Sequence, residues 1–209
     1  SLDAGVGNTA TLTATSGSIT GTGDGSPDIT AGTINLTVGG AGGEVGGGSA
    51  DPLEIDATTV NATSDGAAGD DISIEDTATG LVVGLIDAGS ADVVVTSVLN
   101  IVDDGDAAAD VVADTFTATA VSGIDLETTV GSANLTSTSS GDISIGETDG
   151  LDLAGISTGG DFNLTASGAV TGSGVVTVGQ DTSLTAGSAN NITLNNASND
   201  FGGPVTVVS

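Results

Sequence analysis

Apolar residues recur at every second position in short runs along the whole chain. TINLTV (33–38), PLEID (52–56), DISIE (71–75), DISIG (142–146), LDLAG (151–155), FNLTA (162–166) and PVTVV (204–208) all alternate an aliphatic or aromatic residue with Thr, Ser, Asn or an acid. A period of two puts alternate side chains on opposite faces, so these runs predict half-buried strands. Thr and Val, which suit a pleated surface, dominate them. Gly, Asn, Asp and Ser separate them, as turns require. No stretch carries the apolar period of a helix, and glycine recurs too often for one.

The strands repeat. DFNLTA begins at Asp161, and its near-copy DTSLTA begins at Asp181. LTASGAVTGSG from Leu164 matches LTATSGSITGTG from Leu12 with one extra residue. A longer echo joins LDAGVGNTATLTATSGSI from Leu2 to IDAGSADVVVTSVLNI from Ile86. It aligns Ile19 with Ile101, Ile29 with Val111 and Ile34 with Phe116, all at one common offset. PLEIDATTVNATSDGAAGDDISI from Pro52 echoes IDLETTVGSANLTSTSSGDISI from Ile124, aligning Ile72 with Ile143 at a shorter offset. The reading is one continuous array over residues 1–209, with long repeats over 2–84 and 86–157, then 158–209. The Gly-rich stretch 39–51, where the echo shortens, is expected to be a loop excursion.

A strand-only unit the length of the Asp161 to Asp181 step cannot close its own core. Stacked on copies of itself, it buries one face of every strand. The expected fold class is therefore all-β, a parallel β-helix of about ten coils of roughly 20 residues. At strand spacing that is roughly 50 Å long. An antiparallel sandwich would also alternate, but it leaves the short echo unexplained.

Composition narrows the function. The chain has 28 acidic residues, no Lys, Arg or His, and a formal charge of −28. Without Lys or Arg it has nothing to neutralise phosphates, so nucleic acid is excluded as a partner. An anionic membrane surface would repel it, and no apolar run is long enough to predict membrane insertion. There is no cysteine, hence no disulfide. The chain starts at Ser1 and carries no secretion signal, so it is expected to be an internal or processed piece of something longer, with that signal elsewhere.

The run GDISIGETDGLDLAGISTGGDFNLTASGAVTGSGVVTVGQDTSLTAGSANNITLNNASNDFGGPVTV (141–207) resembles the repeats of filamentous-haemagglutinin-like exoproteins. GSITGTGDGSPDITAGTINLTV from Gly17 and ADPLEIDATTVNATS are similar to them too, and NITLNNASNDFGGPVTV is the most specific part. The resemblance implies a right-handed β-helical shaft. It also implies two-partner export across a bacterial outer membrane and a role in surface adhesion or biofilm structure. The expected location is thus extracellular, on the bacterial cell surface. The expected partners are copies of itself or adjoining repeats end to end, and a host or neighbouring cell surface.

Candidate chemistry is sparse. Asp103, Asp104, Asp106 and Asp110 crowd one turn region, with Asp24 and Asp28 at the matching place of the earlier repeat. Hard oxygen ligands at that density could hold Ca²⁺. Asp is also an ordinary turn residue, and neither an EF-hand nor a repeat-type calcium signature is complete. No other cofactor is expected, and no catalytic residue. Paired carboxylates can hydrolyse glycosides, but this chain has no aromatic platform and no base to orient a sugar, which weighs against a carbohydrate-active β-helix. Ser and Thr lack the His or Lys that would activate them. GGAGGEVGGG from Gly39 lacks the GK[ST] ending of a phosphate loop. Sequons at Asn35, Asn61, Asn134, Asn163, Asn191 and Asn196 are what a Thr-rich alternating strand produces by chance. Asn190, Asn191, Asn195, Asn196 and Asn199 are candidates for turn hydrogen bonds or stacked amide ladders.

Overall fold

The computed structural model describes residues 1–48 and 50–209. These residues form eighteen strands, from Leu2–Ala14 to Val205–Val208, with no helix among them. Every strand pairing among them is parallel. The result is a β-solenoid of about nine coils about 21 residues apart. That is one coil fewer than the sequence suggests, because the coils are unequal. Asn35 lies under Asn61, 26 residues on. Asp76 lies under Ser97, 21 residues on, and Asp110 under Glu127, only 17 residues on. The Asp161–Asp181 step of 20 belongs to the regular C-terminal part.

Alternation becomes columns. One column runs Ile19, Val45, Ile72, Val93, Phe116, Ala133, Leu153. Another runs Leu81, Ile101, Ile124, Ile143, Phe162, Thr182, Val205. Apart from Ile19 and Val205 their members are buried. Removing each large aliphatic from water stabilises the stack by roughly 1.5–3 kcal/mol. Size is compensated up the column. Phe116 stands between Val93 and Ala133, and Phe162 between Ile143 and Thr182, so a ring in one coil is met by a smaller residue in the next.

Two expectations are modified. The stretch 39–51 is not one excursion. Val45 is fully buried and bridges Ile19 below and Ile72 above, so the stack claims it in mid-stretch. Ser49, within that stretch, lies outside the described residues. The two long echoes also join residues of different columns. Ile19 and Ile72 belong to the column of Val93, whereas Ile101 and Ile143 belong to the column of Leu81. Ile29 stacks under Ile55, and Val111 over Ile86. Alike segments therefore recur on different faces, since any strand with the right alternation serves any face.

Stacking like charges in a chain without cations needs an explanation, and the turns supply one. The Asp161 amide donates to Asp142 Oδ1 (2.9 Å), and the Asp181 amide donates to Asp161 Oδ1 (3.0 Å). The Asp92 amide donates to Asp71 Oδ1 in the same way (3.0 Å). Each carboxylate thus accepts the N–H of the aspartate one coil up. Charge-assisted bonds of this kind outweigh the exposed repulsion of roughly 0.9 kcal/mol per pair at strand spacing.

Candidate functional site

Apart from the stacked corner aspartates, three environments for acidic side chains stand out. Those in the first environment tie loops. The buried Glu54 carboxylate accepts the Asp24 amide (3.2 Å) and the Gly25 amide, holding the loop 20–28 against the stack. Asp28 accepts the Thr22 hydroxyl (3.0 Å), and Asp24 accepts the Ser26 amide (3.0 Å). Asp24 and Asp28 are therefore spent on loop structure, and among the described residues neither belongs to a group of three acids with converging oxygens.

The second environment is inside the columns. Asp76 continues the inward phase of Ile72 and Ile74, and it is fully buried. Its Oδ2 accepts the Ser97 hydroxyl (2.8 Å) and the Gly80 amide (2.9 Å). Glu147 continues the inward phase of Ile143 and Ile145. Its Oε2 accepts the Thr128 hydroxyl (2.7 Å) and the Val130 amide (3.2 Å), and its Oε1 accepts the Asp149 amide (3.2 Å). Burial still pushes the Glu147 carboxyl above its ordinary value, because three donors only partly replace water. Asp76 closes the acidic run DDISIED and Glu147 stands two residues before Asp149, yet neither is among the candidates above. A signal is present all the same: each is the in-phase last residue of an alternating strand.

The third environment is the loop that leaves the stack at Asp103 and rejoins it at Val111. Asp103, Asp104 and Asp106 each fold it locally, accepting the amides of Gly105 (2.8 Å), Asp106 (3.1 Å) and Ala108 (2.6 Å). Gly105 takes the left-handed backbone such a reversal needs (φ 93°). One carboxylate oxygen each from Asp103, Asp104 and Asp110 lies within 4.8 Å of the other two. Asp106 is not in this group. Asp110 is 1% exposed, accepts the Glu127 amide at Oδ2 (2.7 Å), and has no partner at Oδ1. Glu127, on the next coil, has a buried and unpartnered Oε2. It escapes a reading based on a fixed step because this coil is short. Burial, with the charges of Asp103, Glu127 and Asp104 around it, pushes the Asp110 carboxyl up to about 7. Burial and the nearby Asp103 and Asp125 raise Glu127 as well.

These shifts fix a pH dependence. The folded values of Asp110, Glu127 and Glu147 lie above those of the open chain, so the fold binds these protons more tightly. Their contribution to stability is complete below the ordinary carboxylate range and is lost as pH rises through the folded values. In chelator-containing buffer at fixed ionic strength, thermal unfolding is expected at a higher temperature at pH 5 than at pH 8. The gap should be at least about 2 °C, the equivalent of roughly 1 kcal/mol for a chain of this size. Asp110→Asn, which removes the group raised to about 7, should narrow it. An equal or lower midpoint at pH 5 would mean that these carboxyls are solvated.

The amides serve turns and one ladder. Asn61 Nδ2 donates to Asn35 Oδ1 (2.9 Å), a side-chain ladder on the outer face. Asn190 donates to the Ser167 carbonyl (3.1 Å) and Asn196 to that of Gly174 (3.1 Å), while Asn199 Oδ1 accepts the Val176 amide (2.9 Å). Asn134, Asn163 and Asn191 are exposed. The Gly-rich stretch leads to the strand Leu53–Thr63 and not to a helix, so it has none of the geometry of a phosphate loop.

A family model described as repeats of unknown function (DUF5649) matches residues 140–208. No curated protein and no solved structure matches the chain. The matched third holds the most regular coils, and with the parallel ladders it fits a β-helical repeat protein.

Proposed function

We propose that the chain is a shaft segment of an extracellular bacterial surface fibre or adhesin of the filamentous-haemagglutinin-like kind, and that it carries no catalysis. The observation that supports this reading best is the uninterrupted parallel ladder, in which each coil is covered by the next. Val205 and Val207 stand over Thr182 and Leu184, in inward positions, yet they are 46% and 53% exposed. At the other end Leu2 stands under Ile29 and is 47% exposed. Further coils laid on these surfaces would bury those side chains and pair the free strand edges. The absence of basic residues supports a role in spacing and not in phosphate or anionic-lipid binding.

The same exposed ends favour a second reading, a subunit that stacks end to end with its own copies. Negative-stain imaging with small-angle scattering separates them. Isolated rods roughly 45 Å long, unchanged with concentration, support the shaft. Fibres that lengthen with concentration, and that Val207→Lys dissolves, support the filament subunit. A compact, near-spherical particle would remove both.

A further inference from the structure

The acids of the loop 103–110 have an arrangement that turn chemistry alone does not explain. Asp103 and Asp104 each use Oδ1 to fold the loop, and the second oxygen of each accepts no hydrogen bond among the described residues. Asp110 does not fold the loop. Its side chain is buried, it reaches into the same group, and its Oδ1 has no partner. Glu127 Oε2, beside it, is also buried and unpartnered. Leaving one such oxygen without a partner is costly, and four carboxylates together with no basic residue in the chain compound that cost.

We propose that Asp103, Asp104 and Asp110, with Glu127 beside them, bind one divalent cation, Ca²⁺ in preference to Mg²⁺. Two oxygens on opposite sides of one Ca²⁺ are at most about 4.6–5.2 Å apart, twice the usual bond length. The three oxygens all lie within 4.8 Å of one another, close enough to share one Ca²⁺. Mg²⁺ demands a stricter octahedral shell and gives up its waters reluctantly, which an irregular loop set serves less well. An all-oxygen set without His or Cys is unsuited to zinc or copper. A bound ion would pin the loop through Asp110, whose Oδ2 already holds the Glu127 amide of the coil above, and would relieve the charge gathered there.

Titration calorimetry of the whole chain with CaCl₂ and with MgCl₂, in about 0.15 M NaCl to screen diffuse attraction, tests this. Expected are one saturable Ca²⁺ per chain and weaker Mg²⁺ binding. Asp104→Asn and Asp110→Asn should each weaken Ca²⁺ binding by about tenfold or more. Asp106→Asn, which removes the same charge from the same loop outside the group, should bind Ca²⁺ like the parent. Should Asp110→Asn fail to fold by circular dichroism, the exposed Asp104 decides. Unsaturable heats, an unweakened Asp104→Asn, equal loss in Asp106→Asn, or a preference for Mg²⁺ would each overturn the proposal.

Discussion

Val93→Asp is expected to break the cooperative unfolding of the stack, at a cost of roughly 5 kcal/mol or more. Val93 is fully buried, with Ile72 directly below it and Phe116 directly above. The change loses the burial of an aliphatic side chain and places a carboxyl where no basic residue of the chain can meet it. The native structure shows what an inward acid needs. Asp76 is held in a column by Ser97 and Gly80, which both donate to its Oδ2, and even so its Oδ1 is left without a partner. Val93 has an isoleucine and a phenylalanine for neighbours in its column. In a one-dimensional array, coupling passes only between adjacent coils, so a damaged middle coil uncouples the two ends. Thermal unfolding should become biphasic, with the coils from Ile124 onward melting near the parent temperature. Leu164→Asp, between Ile145 and Leu184, should instead loosen the C-terminal coils. A single unshifted transition in either variant would show that these side chains face outward.

How far the chain can be read without coordinates depends on which signal is local. Alternation is local, and it places Ile72, Val93, Phe116 and Leu164 on inward faces. The step between coils is not local. Asp161 and Asp181 reveal it because both begin a strand at the same corner, where one carboxylate accepts the amide of the next. Between Leu2 and Glu127 the step from coil to coil ranges from 27 residues at Val45–Ile72 to 17 at Asp110–Glu127, and no fixed step survives. The longer echo therefore aligns strands of one type across different faces. Val45 reads as loop because glycines surround it, yet its burial is set by Ile19 and Ile72, each a full coil away along the chain. The acidic loop is legible as a cluster. That Asp110 is its buried member, and that Glu127 lies beside it, depends on the short coil that brings residue 127 over residue 110.

Glycine carries the least legible information, because it does two unlike jobs. Up to Gly123 many turn glycines adopt positive φ, a backbone state that side chains resist. Beyond Gly123 no glycine among the described residues does so, although the turns remain glycine-rich. There the residue serves clearance. Gly159, Gly179 and Gly202 stand at successive corners, with the Gly179 amide donating to the Thr158 carbonyl (2.9 Å) and the Gly202 amide to that of Val178 (2.7 Å). A Cβ on Gly179 would lie 2.6 Å from the Gly159 oxygen and 2.9 Å from its carbonyl carbon and Cα. All three are backbone atoms held by the ladder, and no flexible tip can move aside.

Gly179→Val should therefore destabilise the C-terminal coils by roughly 3 kcal/mol or more, and Gly179→Ala by about 1–3 kcal/mol. Gly146→Ala is the contrasting case. Its Cβ would meet the Glu127 Cγ at 3.6 Å, an ordinary contact, and its φ is not positive. Restricting the open chain there should leave stability unchanged or raise it by about 0.4–1 kcal/mol. Hydrogen exchange followed residue by residue reads both changes. In Gly179→Val the amides after Thr158 should lose protection while those of Ile124–Ser137 keep it, because each coil is held only by its neighbours. Parent-like protection after Thr158 would mean that the corners stand further apart than contact, and the glycines would then need another cause.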